Sequence, residues 1–330
     1  MAVNLARLNL VDLAKRSDPS GVLADIAEVL NESNDVVKDI PMMPSNAAFG
    51  HRVTMRSSLP TVSWAKMNKG SAKSKSSTKQ VVDTIGMLVA LSDVDAKLKD
   101  VVMDFDAKRR SEDDAFLEKF SQTVANTIFY GDEVTEEDGF TGLAPRLDSL
   151  QTSVYTDSYV KAHHASPSGN DYTSIYIVDW GPRGVHGIYP PNTTGGLGKE
   201  DQGKQRVLDE NNNPFMAFTM EYKWYVGLSI ADPRHAARLA NIDLSQVLAD
   251  TSVLLCDSMV EVLNAMAPRS GMQRVAYCRR ELVTALWKQV HNKGNLMISI
   301  NEYLGEFRPH IYGVPLVACD QISKTESLLT

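Results

Sequence analysis

The sequence predicts an α+β chain, with strands and helices mixed and no regular βαβ alternation. Three observations carry that expectation. Phe116, Phe120, Val124 and Ile128 repeat every fourth residue and give one apolar helical stripe. Two runs rich in β-branched and aromatic residues, Thr173–Trp180 and Phe218–Ile230, read as strands. The interval Gly181–Asn213 is dense in Gly and Pro and reads as loop.

In chain order, Val11–Arg16 and Gly21–Asn31 come first as short helical stretches. In the second, Val22, Ile26, Val29 and Leu30 share a face, and Ser20 is a candidate cap. Between residues 52 and 79 stand Arg52, Arg56, Lys66, Lys69, Lys73, Lys75 and Lys79, with no Asp or Glu among them. The chain as a whole sums to −7, so these seven positive charges leave −14 for the remainder. Within the stretch, residues 69–79 are Gly, Ser, Lys, Ala and Thr and have almost nothing to bury. The flanks, Arg52–Met55 and the run Gln80–Leu91, are β-prone, so the segment reads as a long hairpin with an open tip.

The helix carrying the apolar stripe is expected to start at Ser111, with Glu112, Asp113 and Asp114 at its positive end, and to stop at Tyr130-Gly131 with Gly131 as a left-handed cap. An acidic turn follows: Asp132, Glu133, Glu136, Glu137 and Asp138. Beyond Ile230, Asn241-Ile242-Asp243 opens a long helix with Leu244, Val247, Leu248, Thr251, Leu255, Met259 and Val262 on one face. A further helix spans Glu281–His291, and the chain closes in short strands at Leu296–Ile300 and Gly313–Cys319. There is no internal repeat.

Composition bounds the function. With 330 residues and 43% hydrophobic content, the chain can bury a large core in one domain or two lobes. No apolar run approaches the ~20 residues that span a bilayer. Met1–Ser20 has no signal-peptide block, so the expected location is the compartment of synthesis. Cys256, Cys278 and Cys319 are widely spaced and odd in number, which fits a reducing cytoplasm and buried free thiols. The net negative charge argues against nucleic-acid binding by general attraction. Within the basic stretch Trp64 is the sole aromatic, so serial base stacking is unsupported, although lysine–phosphate contact remains open.

Motifs of chemistry are missing. There is no phosphate-binding loop, no G-x-S-x-G elbow, no G-x-G-x-x-G fingerprint, no H-E-x-x-H and no C-x-x-C. His163-His164, His186 and His235 are the histidines to test for metal, and Asp179 and Asp232 the carboxylates to test for acid–base work.

Several phrases then point one way: Phe129-Tyr130-Gly131-Asp132, Phe140-Thr141-Gly142-Leu143-Ala144-Pro145-Arg146-Leu147, Thr173–Gly181, Gly187-Ile188-Tyr189-Pro190, Arg238-Leu239-Ala240-Asn241-Ile242-Asp243, and Tyr312-Gly313-Val314-Pro315-Leu316 with Cys319-Asp320. Their order and spacing resemble the major capsid proteins of short-tailed phages related to epsilon-15, which have the HK97-type capsid fold. The resemblance implies an N-terminal arm (1–48), an extended E-loop (49–92), a peripheral domain with a spine helix over Ser111–Tyr130 (93–147), an axial domain (148–266), and an end of the axial domain with return strands (267–330).

It also implies a structural shell protein that assembles as pentamers and hexamers around a double-stranded DNA genome, in the virion and made in the bacterial cytoplasm. No catalytic residue, metal or cofactor is implied. Expected partners are further copies of the chain, a separate scaffolding protein, a portal protein, a cement or decoration protein, and weakly held DNA, with no membrane. The seven basic residues of the hairpin are the expected intersubunit contact, and the acidic turn is their expected counter-surface. Two alternatives stay open at this point: an encapsulin-like compartment shell, and a metal-dependent hydrolase using His163, His164 or His186.

Overall fold

A central strand, β6 (Tyr172–Trp180), has buried side chains on both faces in the computed structural model. That accounts for its unbroken apolar run, since a strand covered on both sides has no solvent face to make polar. The structure describes residues 35–48, 50–101, 105–150, 158–164, 171–209, 211–249, 255–269, 271–293, 298–303 and 306–329. The two N-terminal helical stretches expected from sequence lie outside them.

On one side β6 pairs antiparallel with β11 (Gln273–Cys278), Val178 facing Val275. Beyond β11 lie β14 (Val314–Ala318), parallel to it, then β13 (Glu306–Ile311) and β12 (Ile298–Tyr303). On the other side comes β10 (Ala236–Asp243), antiparallel, and then β5 (Tyr159–Ala162). At the end of β6, Trp180 meets Val185 of β7 (Val185–Tyr189). That strand carries the sheet to β9 (Pro214–Ile230) and also takes the short β1 (Met42–Pro44). The long β9 is flanked by β4 (Gly86–Asp95) and β8 (Gly196–Leu208), both antiparallel. A separate two-stranded sheet is made by β2 (Gly50–Ser58) and β3 (Ser77–Thr84).

The helices are α1 (Val36–Asp39), α2 (Leu98–Val101), α3 (Phe105–Tyr130), α4 (Leu244–Ala249), α5 (Leu255–Ala265) and α6 (Arg280–Lys293). Val124, Ile128 and Phe129 of α3 pack on Tyr176, Val178 and Trp180. On the opposite face of β6, Ile175 and Ile177 meet Met259 and Val262 of α5 and Leu282 and Leu286 of α6. Upstream on α3, Phe116 and Phe120 lie on Tyr222 of β9, at ring distances of 5.7 and 6.3 Å.

Several sequence expectations are corrected. The long helix begins at Phe105, so Ser111 lies inside it and is not its cap. Tertiary contact extends it: the Phe105 ring stands 5.7 Å from Phe218, and Phe105 packs with Val94 and Leu98. Asp113 is buried and takes Lys199 Nζ at 2.7 Å, an ion pair between elements. Gly131 is not left-handed. Its amide continues the helix by donating to Thr127 O at 2.9 Å. Glycine is needed there because a Cβ would meet Phe140 O at 2.4 Å. The phrase after the acidic turn returns to finish the helix: Gly142, Leu143 and Ala144 amides donate to the Gly131, Ile128 and Phe129 carbonyls at 2.8, 2.8 and 2.7 Å. Those carbonyls would otherwise lack an intrahelical partner.

The Gly181–Asn213 interval is not loop throughout, since it holds β7 and β8. β8 was hidden because most of its side chains are exposed, so it shows no apolar alternation. The Gln80–Leu91 run divides between β3 and β4, which belong to different sheets. Asn241–Asp243 ends β10 instead of opening a helix, although Asp243 does cap α4 by accepting from Gln246 N at 3.0 Å. The single long helix expected next is described as α4 and α5, with residues 250–254 between them outside the described set. β13 was missed, and β12 runs over Ile298–Tyr303.

Candidate intersubunit surface

Residues 59–76 join β2 to β3 without regular strand or helix, and the hairpin they close is paired from Gly50–Thr84 to Ser58–Ser77. Arg52, Arg56 and Lys79 sit on its strands, and Lys66, Lys69, Lys73 and Lys75 on its tip; all seven are exposed. Sequence reasoning missed what accompanies them. Val62, Trp64 and Met67 are 88%, 97% and 97% exposed, so the tip presents large apolar side chains among its lysines. The available signal was the presence of any such residue in a segment too polar to build a core.

Among the described residues, the contacts that fix the hairpin to the body lie at its root. Asn46 mimics a neighbouring strand, its Nδ2 donating to Arg52 O and its Oδ1 accepting from Arg52 N, each at 2.8 Å. Buried Asp83 takes Arg146 Nη1 at 2.7 Å, and Arg146 Nη2 donates to the carbonyls of Thr141 and Leu228. The His51 ring meets His186 edge-on at 5.5 Å. Burial, reinforced by His51, lowers the His186 pKa, while nearby Asp83 opposes the shift. Among the described residues, three buried polar atoms at this root have no hydrogen-bond partner: Asp83 Oδ2, Arg146 Nε and Ser229 Oγ. A cleft of about 990 Å³ separates the hairpin from the body, lined in part by Arg56, Lys79, Arg146, Asp232 and Arg234.

The acidic turn lies at this same root and not beside the tip. Glu133 accepts from Thr84 Oγ1 at 2.8 Å, and a Cβ on Gly86 would stand 3.0 Å from Asp138 O. Asp132 caps its own turn, accepting from Val134 N and Thr135 Oγ1 at 3.0 Å each. Glu136, Glu137 and Asp138 are exposed.

The candidate chemical residues are committed elsewhere. Buried Asp179 receives both Nε and Nη2 of Arg274, at 2.6 and 2.7 Å, with His235 Nδ1 at 2.7 Å. Asp232 chelates Arg234 and caps the turn Pro233–His235. His163 Nδ1 lies 2.9 Å from Ser258 Oγ, and burial brings its pKa down to about 4, helped by His164 and Lys161. Among the described residues no group of three or more His, Cys, Asp or Glu is arranged to hold a metal ion. The three cysteines are free and buried. No helix among the described residues is long and apolar enough to cross a membrane.

The model of the family "Major capsid protein GP7" matches residues 18–330. The chain belongs to that family. A capsid protein of this family builds a structural shell and is not an enzyme. A chain in a near-atomic cryo-EM structure of bacteriophage epsilon15 is 29% identical, with a TM-score of 0.80 over 100% of this chain and 99% of that one. The capsid of bacteriophage JBD30 gives a TM-score of 0.51 at 8% identity, over 92% and 97% of the two chains, a likeness of fold alone. The comparison with curated proteins found no match. The capsid protein therefore has an α+β, HK97-like fold and is a component of the phage virion shell.

Proposed function

We propose that the chain assembles as pentamers and hexamers that close an icosahedral shell around double-stranded phage DNA, with the β2–β3 hairpin as the clasp between neighbours. The observation carrying this reading is the hairpin itself, a two-stranded sheet held at its root and exposed over its tip. Such ribbons are marginal alone and gain order against another surface. Arg52, Arg56, Lys66, Lys69, Lys73, Lys75 and Lys79 face acids on the next copy, Asp132, Glu133, Glu136, Glu137 and Asp138 among them. Each exposed pair contributes only ~0–1 kcal/mol and is screened by salt. Repetition around a ring makes the set effective.

In this shell residues 1–48 serve as an N-terminal arm, 49–92 as the extended loop, 93–147 as the peripheral domain and 148–266 as the axial domain, with residues 267–330 completing both. Assembly takes place in the host cytoplasm, guided by a separate scaffolding protein and begun at a portal. A decoration protein is a further candidate partner, and the acidic body holds packaged DNA weakly.

The test is to replace residues 59–76 by an Asn-Gly turn, which can close a two-residue hairpin, and to view the expressed protein by electron microscopy. The expected result is a folded, soluble subunit that forms no closed shells. Normal shells at physiological salt would sink the clasp.

A further inference from the structure

The cleft between the β2–β3 hairpin and the body is strongly one-signed. Four cations line it, Arg56 and Lys79 on the hairpin and Arg146 and Arg234 on the body, against the single acid Asp232. Two of the four are already neutralised. Arg146 is paired with buried Asp83, and Arg234 chelates Asp232 through Nε at 2.9 Å and Nη2 at 2.5 Å. Among the described residues Arg56 and Lys79 have no acidic partner, so two positive charges of the lining stand uncompensated. Met55, Val81 and Ile230 give the cleft apolar walls, and walls of low dielectric concentrate the field of nearby charges.

The strand edge adds neutral donors. Asn46 Oδ1 accepts from Arg52 N, so the Arg52 amide points away from β3. Amides alternate in direction along an antiparallel pair, which turns those of Thr54 and Arg56 to the same outer edge. Both residues line the cleft, and among the described residues neither amide has a backbone acceptor on that edge.

We propose that this cleft binds a phosphate oxyanion, held by Arg56 and Lys79 and by the outer-edge amides of β2. Charge and donor type both match. A phosphate group carries about −1.5 to −2 near neutral pH, which the two uncompensated cations balance. Arginine offers a planar fork and lysine a mobile point charge, both suited to phosphate oxygens. An extended peptide is the other occupant that an open strand edge would take. Four cations around one short stretch of edge favour a compact, highly charged anion instead.

Binding has a mechanical consequence. Arg56 and Lys79 belong to the hairpin, whereas Arg146 and Arg234 belong to the body, so an oxyanion among them ties one to the other. The site acts in the lone subunit and leaves the lysines of the tip free. The clasp is read from particles and the site from lone subunits, so the two readings fail separately.

The test titrates inorganic phosphate, pyrophosphate and a short DNA duplex into the unassembled full chain by calorimetry, with ionic strength held constant by sodium chloride. Pyrophosphate should saturate at one per chain and slow hydrogen exchange at the Thr54 and Arg56 amides. The double variant Arg56→Gln/Lys79→Gln should weaken pyrophosphate binding by about tenfold or more. Its melting temperature in chloride should match the parent, because both side chains are exposed. Asp232→Asn should instead strengthen binding by about threefold or more, since Asn still caps the turn but no longer neutralises Arg234. A purely structural role for Asp232 predicts no such gain.

Competition identifies the source of the phosphate. Duplex that pyrophosphate displaces, and that the double variant no longer binds, marks the nucleic-acid backbone. Duplex binding indifferent to the double variant, with pyrophosphate binding lost, marks a free phosphate. Equal pyrophosphate affinity in parent and double variant would overturn the site, as would an Asp232→Asn chain that binds no better. A glutamate-rich peptide that displaces pyrophosphate at lower concentration would also overturn it and give the cleft to a protein strand.

Discussion

Arg238 Nη2 donates to Glu326 Oε2 at 2.9 Å, and each side chain is only 5% exposed. Ser174, Tyr130 and Tyr176 hydroxyls also donate to this carboxylate, so one acid ties the segment around residue 326 to β6, β10 and the end of α3. Arg238 in turn donates to Ser174 Oγ at 3.0 Å and Leu147 O at 2.9 Å. Removing one partner of a buried pair strands the other, at a cost of about 3–5 kcal/mol. Glu326→Ala should therefore lower stability by that order in urea unfolding. A change below ~1 kcal/mol would show that the cluster does not hold the segment.

The same cluster sets an alkaline limit. Burial, with Glu326 close by, raises the pKa of both Tyr130 and Tyr176 above the ordinary phenol range. Their folded-state values are raised, so stability is fully present below about pH 10, the unfolded phenol value, and is lost as pH climbs beyond it. Melting temperature measured from pH 8 to 11 should fall steeply at the upper end. Tyr130→Phe should start lower, having lost a hydrogen bond, but fall less steeply.

Acid acts through two histidines. Burial brings His163 down to about 4 and lowers His186, which His51, Asp83 and, through Asp83, Arg146 surround. Here the folded values are depressed, so the folded chain binds fewer protons than the unfolded one. Stability is present above about pH 6.5 and is lost as pH falls toward His163's folded value. Hydrogen exchange of β2 and β3 should quicken over that interval, because His186 lies at the hairpin root. An unchanged exchange profile in His186→Asn would remove His186 as the cause.

Gly142 tests the capping of α3. A Cβ there would lie 2.5 Å from Thr127 O and 2.7 Å from Ile128 O. Both obstacles are backbone, so relief requires the returning segment to move off the helix end. Gly142→Ala should cost about 1–3 kcal/mol, as overpacking does, and thermal melting will report it. A neutral result would mean that the three capping hydrogen bonds adjust without loss.

How much was legible in the sequence follows the physics of each element. The stripe Phe120, Val124, Ile128 and the double-faced strand β6 were readable because burial was written directly into their periodicity. The helix start was not, since Phe105 is drawn into it by Phe218, more than a hundred positions away. β8 was not, since an exposed edge strand needs only a neighbour's hydrogen bonds and shows no apolar pattern. In the hairpin the charges were plain, but Trp64 looked like one aromatic among polar residues.

By itself, then, the sequence determined a mixed α+β chain with a basic, acid-free hairpin and an acidic remainder, because composition and period are local properties. Only the tertiary structure decided that the acidic turn stands at the hairpin's own root, where Thr84 meets Glu133 and Gly86 meets Asp138. It also decided that the lysines and Trp64 of the tip are left exposed. The reason is that proximity across a sheet depends on register and pairing between distant segments, which no local pattern encodes.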